Sequence, residues 1–187
     1  HLPADVAPWR DASMRTIDDA LERCGSICIS LRGDWTTFGL EDDGVHFTRE
    51  GLRRFARAFA ERCQRVVPAI GSLYLLTDSA VDHHNYSEAG EWTGWADGVV
   101  RDALATTLGP LRHIVIDAVG GSGFVARCEE GLHFYARASC HLRTHARQRG
   151  GDPVTVILAG GWNDGGRPMR EVCGAAERCC RLVQRYD

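Results

Sequence analysis

Short, fully hydrophobic runs alternate along the chain with longer segments in which apolar residues recur at helical spacing. The short runs are strand candidates, and they span residues 27–31, 73–76, 113–118 and 154–159. Runs that are apolar at every position, rather than at alternate positions, are typical of parallel strands covered on both faces. We therefore expect buried strands in a mostly parallel sheet.

The longer segments predict helices, and they span residues 12–24, 48–66, 92–108, 124–149 and 167–185. In the second of these, Thr48 supplies an N-terminal cap and Leu52, Phe55 and Phe59 follow at helical spacing. Helices and strands alternate throughout the chain. This alternation predicts the α/β class, in the form of a three-layer α/β/α sandwich with a mostly parallel sheet.

Length and composition agree with one globular domain over residues 1–187. Of these residues 44% are hydrophobic and 25% are charged, which excludes an intrinsically disordered chain. No apolar run approaches the ~20 residues that span a bilayer, so we expect no membrane span. The net charge is −3, which argues against nucleic acid as a partner.

All 22 basic residues are arginine, so Schiff-base lysine chemistry and a Walker-type phosphate loop are excluded. Cysteines occupy positions 24, 28, 63, 128, 140, 173, 179 and 180. Their high, even number favours some disulfide bridges of open connectivity, and with them a secreted or cell-envelope location. Cys24 and Cys28 are four residues apart, but no second pair follows at zinc-finger spacing, so no structural zinc is expected.

Polar, glycine-rich residues follow each strand candidate, where the sites of parallel α/β sheets lie. Asp43 and His46 come after the first strand, Ser79 after the second, Gly123 after the third and Asn163 after the fourth. Taken singly, each residue has a simpler explanation as a cap or a turn residue. Together they supply a nucleophile, a base, an orienting carboxylate and oxyanion donors, which are the groups that acyl transfer needs.

The same residues resemble the sequence blocks of the SGNH (GDSL) hydrolases. Residues 77–79 read Thr-Asp-Ser where the family has Gly-Asp-Ser, and 122–123 read Ser-Gly, as in the second block. Residues 161–164 read Gly-Trp-Asn-Asp, which matches Gly-x-Asn-Asp. Residues 43–51 read Asp-Gly-Val-His-Phe-Thr-Arg-Glu-Gly and match the last block closely.

The block order differs from that of the family, because the Asp-x-x-His block comes first here and last there. The chain therefore resembles a circular permutation, in which residues 1–67 correspond to the usual carboxyl-terminal part and residues 68–187 to the usual amino-terminal part. Permutation is tolerated where the original termini are close together at the surface. The family also has a further strand between the helix after the Gly-x-Asn-Asp block and the helix before its last strand. In the permuted order this segment would join residue 187 to residue 1, and the sequence near these two residues predicts no strand.

The resemblance implies an esterase or lipase-type serine ester hydrolase without a cofactor or a metal. It assigns Ser79 as the nucleophile, His46 as the general base and Asp43 as the carboxylate that orients the imidazole. It builds the oxyanion hole from the backbone N–H groups of Ser79 and Gly123 and the side-chain amide of Asn163. Implied substrates are small esters, acyl lipids and acylated sugars. The strand that leads to Ser79 should be central in the sheet.

Other functions stay open at this point. The change from Gly to Thr at position 77 is the reason to consider a catalytically silent binding or structural module on the same fold. The segment 120–123 reads Gly-Gly-Ser-Gly before a predicted helix and could hold an anion, although the dinucleotide-binding spacing is absent. A nucleophile at Ser122 would need Gly-x-Ser-x-Gly, a pattern that the chain does not complete. A substrate-facing role stays open for His83 and His84, which lie in a polar segment just after Ser79, although such a pair is more often exposed to solvent.

Overall fold

Three parallel strands form the described sheet, with β1 (Ser72–Thr77) in the centre between β2 (His113–Ala118) and β3 (Val154–Ala159). The structure is a computed structural model that describes residues 6–27, 37–67, 71–109, 111, 113–149 and 153–186. The three predicted strands in these ranges form where they were expected. The strand predicted at 27–31 lies, after its first residue, outside the described residues.

Six helices accompany these strands in the described residues: α1 (Val6–Arg23), α2 (Arg49–Cys63), α3 (Ser79–Asp82), α4 (Trp95–Leu108), α5 (Phe134–Arg149) and α6 (Met169–Val183). They cover both faces of the sheet. All residues of β1 are buried, and its side chains alternate between two hydrophobic clusters. Leu73 and Leu75 pack with α2 and α4, whereas Tyr74 and Leu76 pack with α1, α5 and α6. This arrangement confirms the predicted α/β/α sandwich.

Helix α2 begins and packs as its sequence predicts. The Thr48 hydroxyl accepts a hydrogen bond from the Gly51 N–H at 3.0 Å, which satisfies one of the free donors of the first turn. Leu52, Phe55 and Phe59 lie on one buried face against the sheet. Because Thr48 directly follows the segment that carries Asp43 and His46, this cap fixes the end of that segment relative to the core.

Helix α5 begins at Phe134, ten residues later than the predicted start at 124. The backbone N–H groups of Phe124, Val125 and Ala126 donate to the buried carboxylate of Asp164, at 2.7–2.9 Å. These donors hold the segment as a loop. The hydrophobic spacing of this segment therefore reflects its burial and not a helix.

The cysteines form no disulfide in the described residues, contrary to the expectation of some bridges. Seven of the eight are described, and all seven are free thiols. Cys63 and Cys179 are fully buried, and burial raises the pKa of each thiol to about 12. They act as small apolar core residues. Among the described helices, none is long and apolar enough to cross a membrane.

Candidate active site

The three strands end at the same level on one edge of the sheet. Thr77 pairs with Ala118 on one side and with Ala159 on the other. The segments that follow these residues therefore start side by side, as expected for the carboxyl ends of parallel strands. Ser79 follows the central strand, which confirms the predicted central position of its strand.

Ser79 is the first residue of the short helix α3 and is half-buried. Asp78 caps this helix, because its Oδ1 accepts the Ala80 N–H at 3.1 Å. Its other carboxylate oxygen, Oδ2, is buried and has no hydrogen-bond partner among the described residues. Burial raises the pKa of Asp78 to about 6. The residue thus positions Ser79 through the backbone.

Asp43 and His46 form a directly bonded pair. His46 Nδ1 donates to Asp43 Oδ2 at 2.6 Å, and Asp43 Oδ1 accepts the backbone N–H groups of Val45 and His46 at 2.8 and 3.0 Å. The hydrogen bond from His46, followed by those from the backbone, holds the pKa of Asp43 well below its ordinary range. With the proton of the neutral imidazole on Nδ1, Nε2 is the nitrogen that can accept a proton.

The loop that carries this pair is attached to the helical turn that follows Ser79. The His46 ring stacks on the His83 ring, with centroids 4.2 Å apart. The backbone N–H of His83 donates to the Ser79 carbonyl, so the two residues share one turn. His84 Nε2 donates to the carbonyl of Phe47, next to His46. The fold thus brings the Asp43–His46 pair, through His83, to the helical turn that begins with Ser79, although His46 and Ser79 are 33 residues apart in the chain.

No hydrogen bond joins the Ser79 hydroxyl to the His46 ring in the described residues. Catalytic hydrogen bonds are often long in unliganded sites and shorten when substrate binds. The expected contact of about 3–4 Å between these groups stays a prediction. The two residues are linked through His83, whose ring stacks on His46 and whose N–H donates to the Ser79 carbonyl.

Gly120 lies next to Ser79, a contact that the sequence did not predict. A β carbon built on Gly120 would be 3.8 Å from the Ser79 β carbon and 3.1 Å from Asp82 Oδ2. The Gly120 N–H donates to that same Asp82 oxygen at 2.7 Å. Asp82 is three residues after Ser79, on the same turn, and its contact with the neighbouring strand end joins residues 38 positions apart, which the sequence pattern did not indicate.

The two remaining members of the predicted oxyanion hole are engaged within the protein. The Gly123 N–H donates to the Ala126 carbonyl at 3.0 Å. Asn163 Nδ2 donates to the Ser122 carbonyl at 2.9 Å. A side-chain amide has two N–H groups, so this bond leaves Asn163 with one further donor. The backbone amide of Gly123 has only one N–H, and that N–H is already bonded to Ala126.

Two buried charged residues that the sequence pattern does not single out hold these loops in place. Arg137 forms an ion pair with Asp117 at 2.6 Å and donates to the Thr77 carbonyl at 3.1 Å and to Ser122 Oγ at 2.5 Å. Asp164 holds the loop after Gly123 through three backbone donors, as described above. Both residues act between segments distant in the chain, so periodicity could not identify them.

The structure assigns a structural position to Ser122 and corrects the expectation for His84. Ser122 is fully buried, and its hydroxyl donates to the Val119 carbonyl at 2.7 Å. Only 7% of His84 is exposed, because its ring packs against Trp95 as well as the Phe47 carbonyl, whereas His83 is partly exposed. The possible anion site at 120–123 lacks the helix that was predicted to follow it, since α5 begins at Phe134.

Comparison of the chain with family models, with curated proteins and with solved structures yields no match.

Proposed function

We propose that the protein is a serine ester hydrolase of the SGNH type, in permuted block order. One observation carries the proposal: a hydrogen-bonded Asp43–His46 pair lies against the turn that begins with Ser79, at the carboxyl end of the central strand. An imidazole oriented by a carboxylate and a hydroxyl at a helix start are the parts of an acyl-transfer site.

In the proposed reaction Ser79 Oγ attacks the ester carbonyl while His46 Nε2 takes the hydroxyl proton. Asp43 keeps the imidazole in the required tautomer and stabilises its charged form. The tetrahedral intermediate collapses with cleavage of the acyl C–O bond, and the imidazolium returns its proton to the leaving alkoxide. Water then attacks the acyl-enzyme with His46 again as base, which releases the carboxylic acid and restores the Ser79 hydroxyl.

The oxyanion that forms needs hydrogen-bond donors near Ser79. The backbone N–H of Ser79 and the second N–H of Asn163 are the proposed donors. The Gly123 N–H contributes only if its bond to Ala126 opens, and the N–H of Gly120, which lies next to Ser79, contributes only if Asp82 moves away. Substrate binding would have to bring about either change.

A catalytically silent module is the second candidate, and the hydrogen bonds that already occupy the Gly120 and Gly123 N–H groups favour it. The N–H groups of Gly120 and Gly123 are both bonded within the protein, and no hydrogen bond joins Ser79 to His46 in the described residues. A binding or structural role needs neither a free oxyanion donor nor an active hydroxyl.

A fluorophosphonate that labels activated serines separates the two candidates. Incubation of the full chain, followed by peptide mass spectrometry, should place the label on Ser79. The Ser122→Ala variant should label like the parent chain, and Ser79→Ala should not label. Absence of label on the parent chain at millimolar reagent would contradict the hydrolase proposal and favour the silent module. A series of p-nitrophenyl esters of increasing acyl length would then define the substrate.

A further inference from the structure

A cluster of two histidines and one glutamate lies next to the candidate active site and has no part in the proposed reaction. Glu41, His83 and His84 each offer one ligand atom, and these atoms lie within 4.8 Å of one another. His83 Nε2 is 3.3 Å from Glu41 Oε2, and His84 Nε2 is 3.8 Å from Glu41 Oε1. We propose that this cluster binds a divalent transition-metal ion, namely Zn²⁺.

The distances suit such an ion. Zn²⁺ binds nitrogen and carboxylate oxygen at about 2.0–2.2 Å, so two ligands of a tetrahedral ion are about 3.4 Å apart. Each histidine nitrogen lies within a few tenths of an ångström of this distance from one oxygen of the Glu41 carboxylate, His83 Nε2 from Oε2 and His84 Nε2 from Oε1. The two rings are set at 76° to each other, and 41% of the His83 side chain is exposed, so an ion can reach the cluster from solvent.

The donor set selects the class of metal. Two imidazoles and one carboxylate form a mixed nitrogen and oxygen set, which suits zinc and its first-row neighbours. Mg²⁺ and Ca²⁺ prefer oxygen ligands at every position and would bind weakly to a site with two imidazoles. Three protein ligands leave the fourth tetrahedral position to water or to a small ligand.

The backbone around the cluster is already held in place. The Glu41 N–H donates to the His46 carbonyl at 2.9 Å, and Leu40 pairs with Phe47 in an antiparallel bridge, so the Glu41 loop is closed at its base. His84 is buried, with Nε2 bonded to the Phe47 carbonyl. Metal binding at Nε2 would exchange this hydrogen bond for a metal bond, with the ring proton on Nδ1.

Calorimetric titration of the full chain with Zn²⁺, after treatment with EDTA, tests the site. We expect one ion per chain. Glu41→Gln and His83→Asn should each weaken binding by about tenfold or more, since even residues that only support metal ligands are worth about 10–100-fold in affinity. Asp42→Asn, an exposed carboxylate next to Glu41, and His145→Gln, on α5, are the matched controls and should bind like the parent chain. Thermal melts verify that each variant is folded.

Co²⁺ provides a spectroscopic check against binding by the free thiols. Co²⁺ at Glu41, His83 and His84 should give the visible bands of a tetrahedral ion without sulfur charge-transfer absorption. Charge-transfer bands that disappear in Cys140→Ser, which removes an exposed thiol, would overturn the proposal. So would equal Zn²⁺ affinity of the parent chain, Glu41→Gln and His83→Asn.

The metal site stands independently of the proposed hydrolase. Its titration uses no ester, and Ser79→Ala should bind Zn²⁺ as the parent chain does. Failure of fluorophosphonate labelling would therefore leave the metal site intact, and loss of Zn²⁺ binding would leave the hydrolase proposal intact.

Discussion

The rings of His46 and His83 stack nearly in parallel, with an angle of 15° between their planes. One of these rings carries the bond to Asp43, and the other contacts Glu41. Through this contact the Asp43–His46 pair reaches the helical turn of Ser79, and the proposed metal cluster lies one ring away from the proposed base. His83 therefore connects the Asp43–His46 pair to the turn of Ser79, two features that are far apart in the sequence.

Removal of the proposed nucleophile should abolish chemistry without affecting folding. Ser79→Ala removes one hydroxyl from a half-buried helix start, so the melting temperature should stay within a few degrees. Ester turnover should fall by on the order of 10³ or more, as loss of a triad nucleophile does. Turnover on p-nitrophenyl esters and a thermal melt measure the two effects. Retained turnover in Ser79→Ala, with loss in Ser122→Ala, would show that the nucleophile is Ser122.

Asp43→Asn tests the orientation of the imidazole. The variant keeps an oxygen for the backbone N–H groups of Val45 and His46 but loses the negative charge that faces Nδ1. We expect kcat to fall by about 10³–10⁴, with little change in melting temperature because the residue is exposed. Asp42→Asn, one residue away, should leave kcat unchanged. Equal kcat for the parent chain and Asp43→Asn would remove Asp43 from the mechanism.

Asn163→Ala separates an oxyanion donor from a structural residue. The variant loses the proposed second N–H and also the bond to the Ser122 carbonyl. We expect kcat to fall by roughly 10²–10³, which is less than for Ser79→Ala, because attack by Ser79 is still feasible. Steady-state kinetics measure this. A change confined to the melting temperature, with kcat unaltered, would assign Asn163 a structural role alone.

Asp164→Asn should destabilise the fold. Its carboxylate accepts three backbone N–H groups from residues 124–126, and an amide nitrogen in place of one oxygen would face a donor. Each hydrogen bond to a buried charge is worth about 1.5–3 kcal/mol, so we expect the free energy of unfolding to drop by about 3 kcal/mol or more. Urea denaturation measures this drop. An unchanged midpoint would mean that the loop after Gly123 is held by other contacts.

Asp78 should make stability depend on pH. Its pKa is raised by burial to about 6, above the unfolded value near 3.9, so the folded chain retains a proton that the unfolded chain releases. Between about pH 4 and pH 6 this residue lowers the free energy of unfolding as the pH rises. Asp78→Asn retains an oxygen for the Ala80 N–H and removes this dependence.

From about pH 4 to pH 7, the free energy of unfolding of Asp78→Asn should therefore rise relative to that of the parent chain by on the order of 3 kcal/mol. Urea denaturation at several pH values follows the difference, and Asp42→Asn serves as the exposed control. Parallel pH profiles for the parent chain and Asp78→Asn would show that the Asp78 carboxyl titrates alike in the folded and unfolded states.

Much of the fold could be predicted from local sequence pattern. The apolar runs at 73–76, 113–118 and 154–159 become strands, and Thr48 caps α2. The Asp43–His46 bond was also foreseeable, because the two residues are three positions apart and a tight turn brings them together. In each case the decisive interactions are within a few residues, or they depend on burial, which the hydrophobic pattern encodes directly.

Tertiary structure alone decided the rest. The start of α5 depends on Asp164, which lies 38–40 residues beyond the amides that it binds, and the burial of His84 depends on the Phe47 carbonyl, 37 residues away. The stacking of His46 on His83 likewise needs two distant loops to meet. Such contacts join segments that the chain brings together only when the sheet and its two helical layers assemble, and hydrophobic periodicity does not specify which polar side chains then face one another.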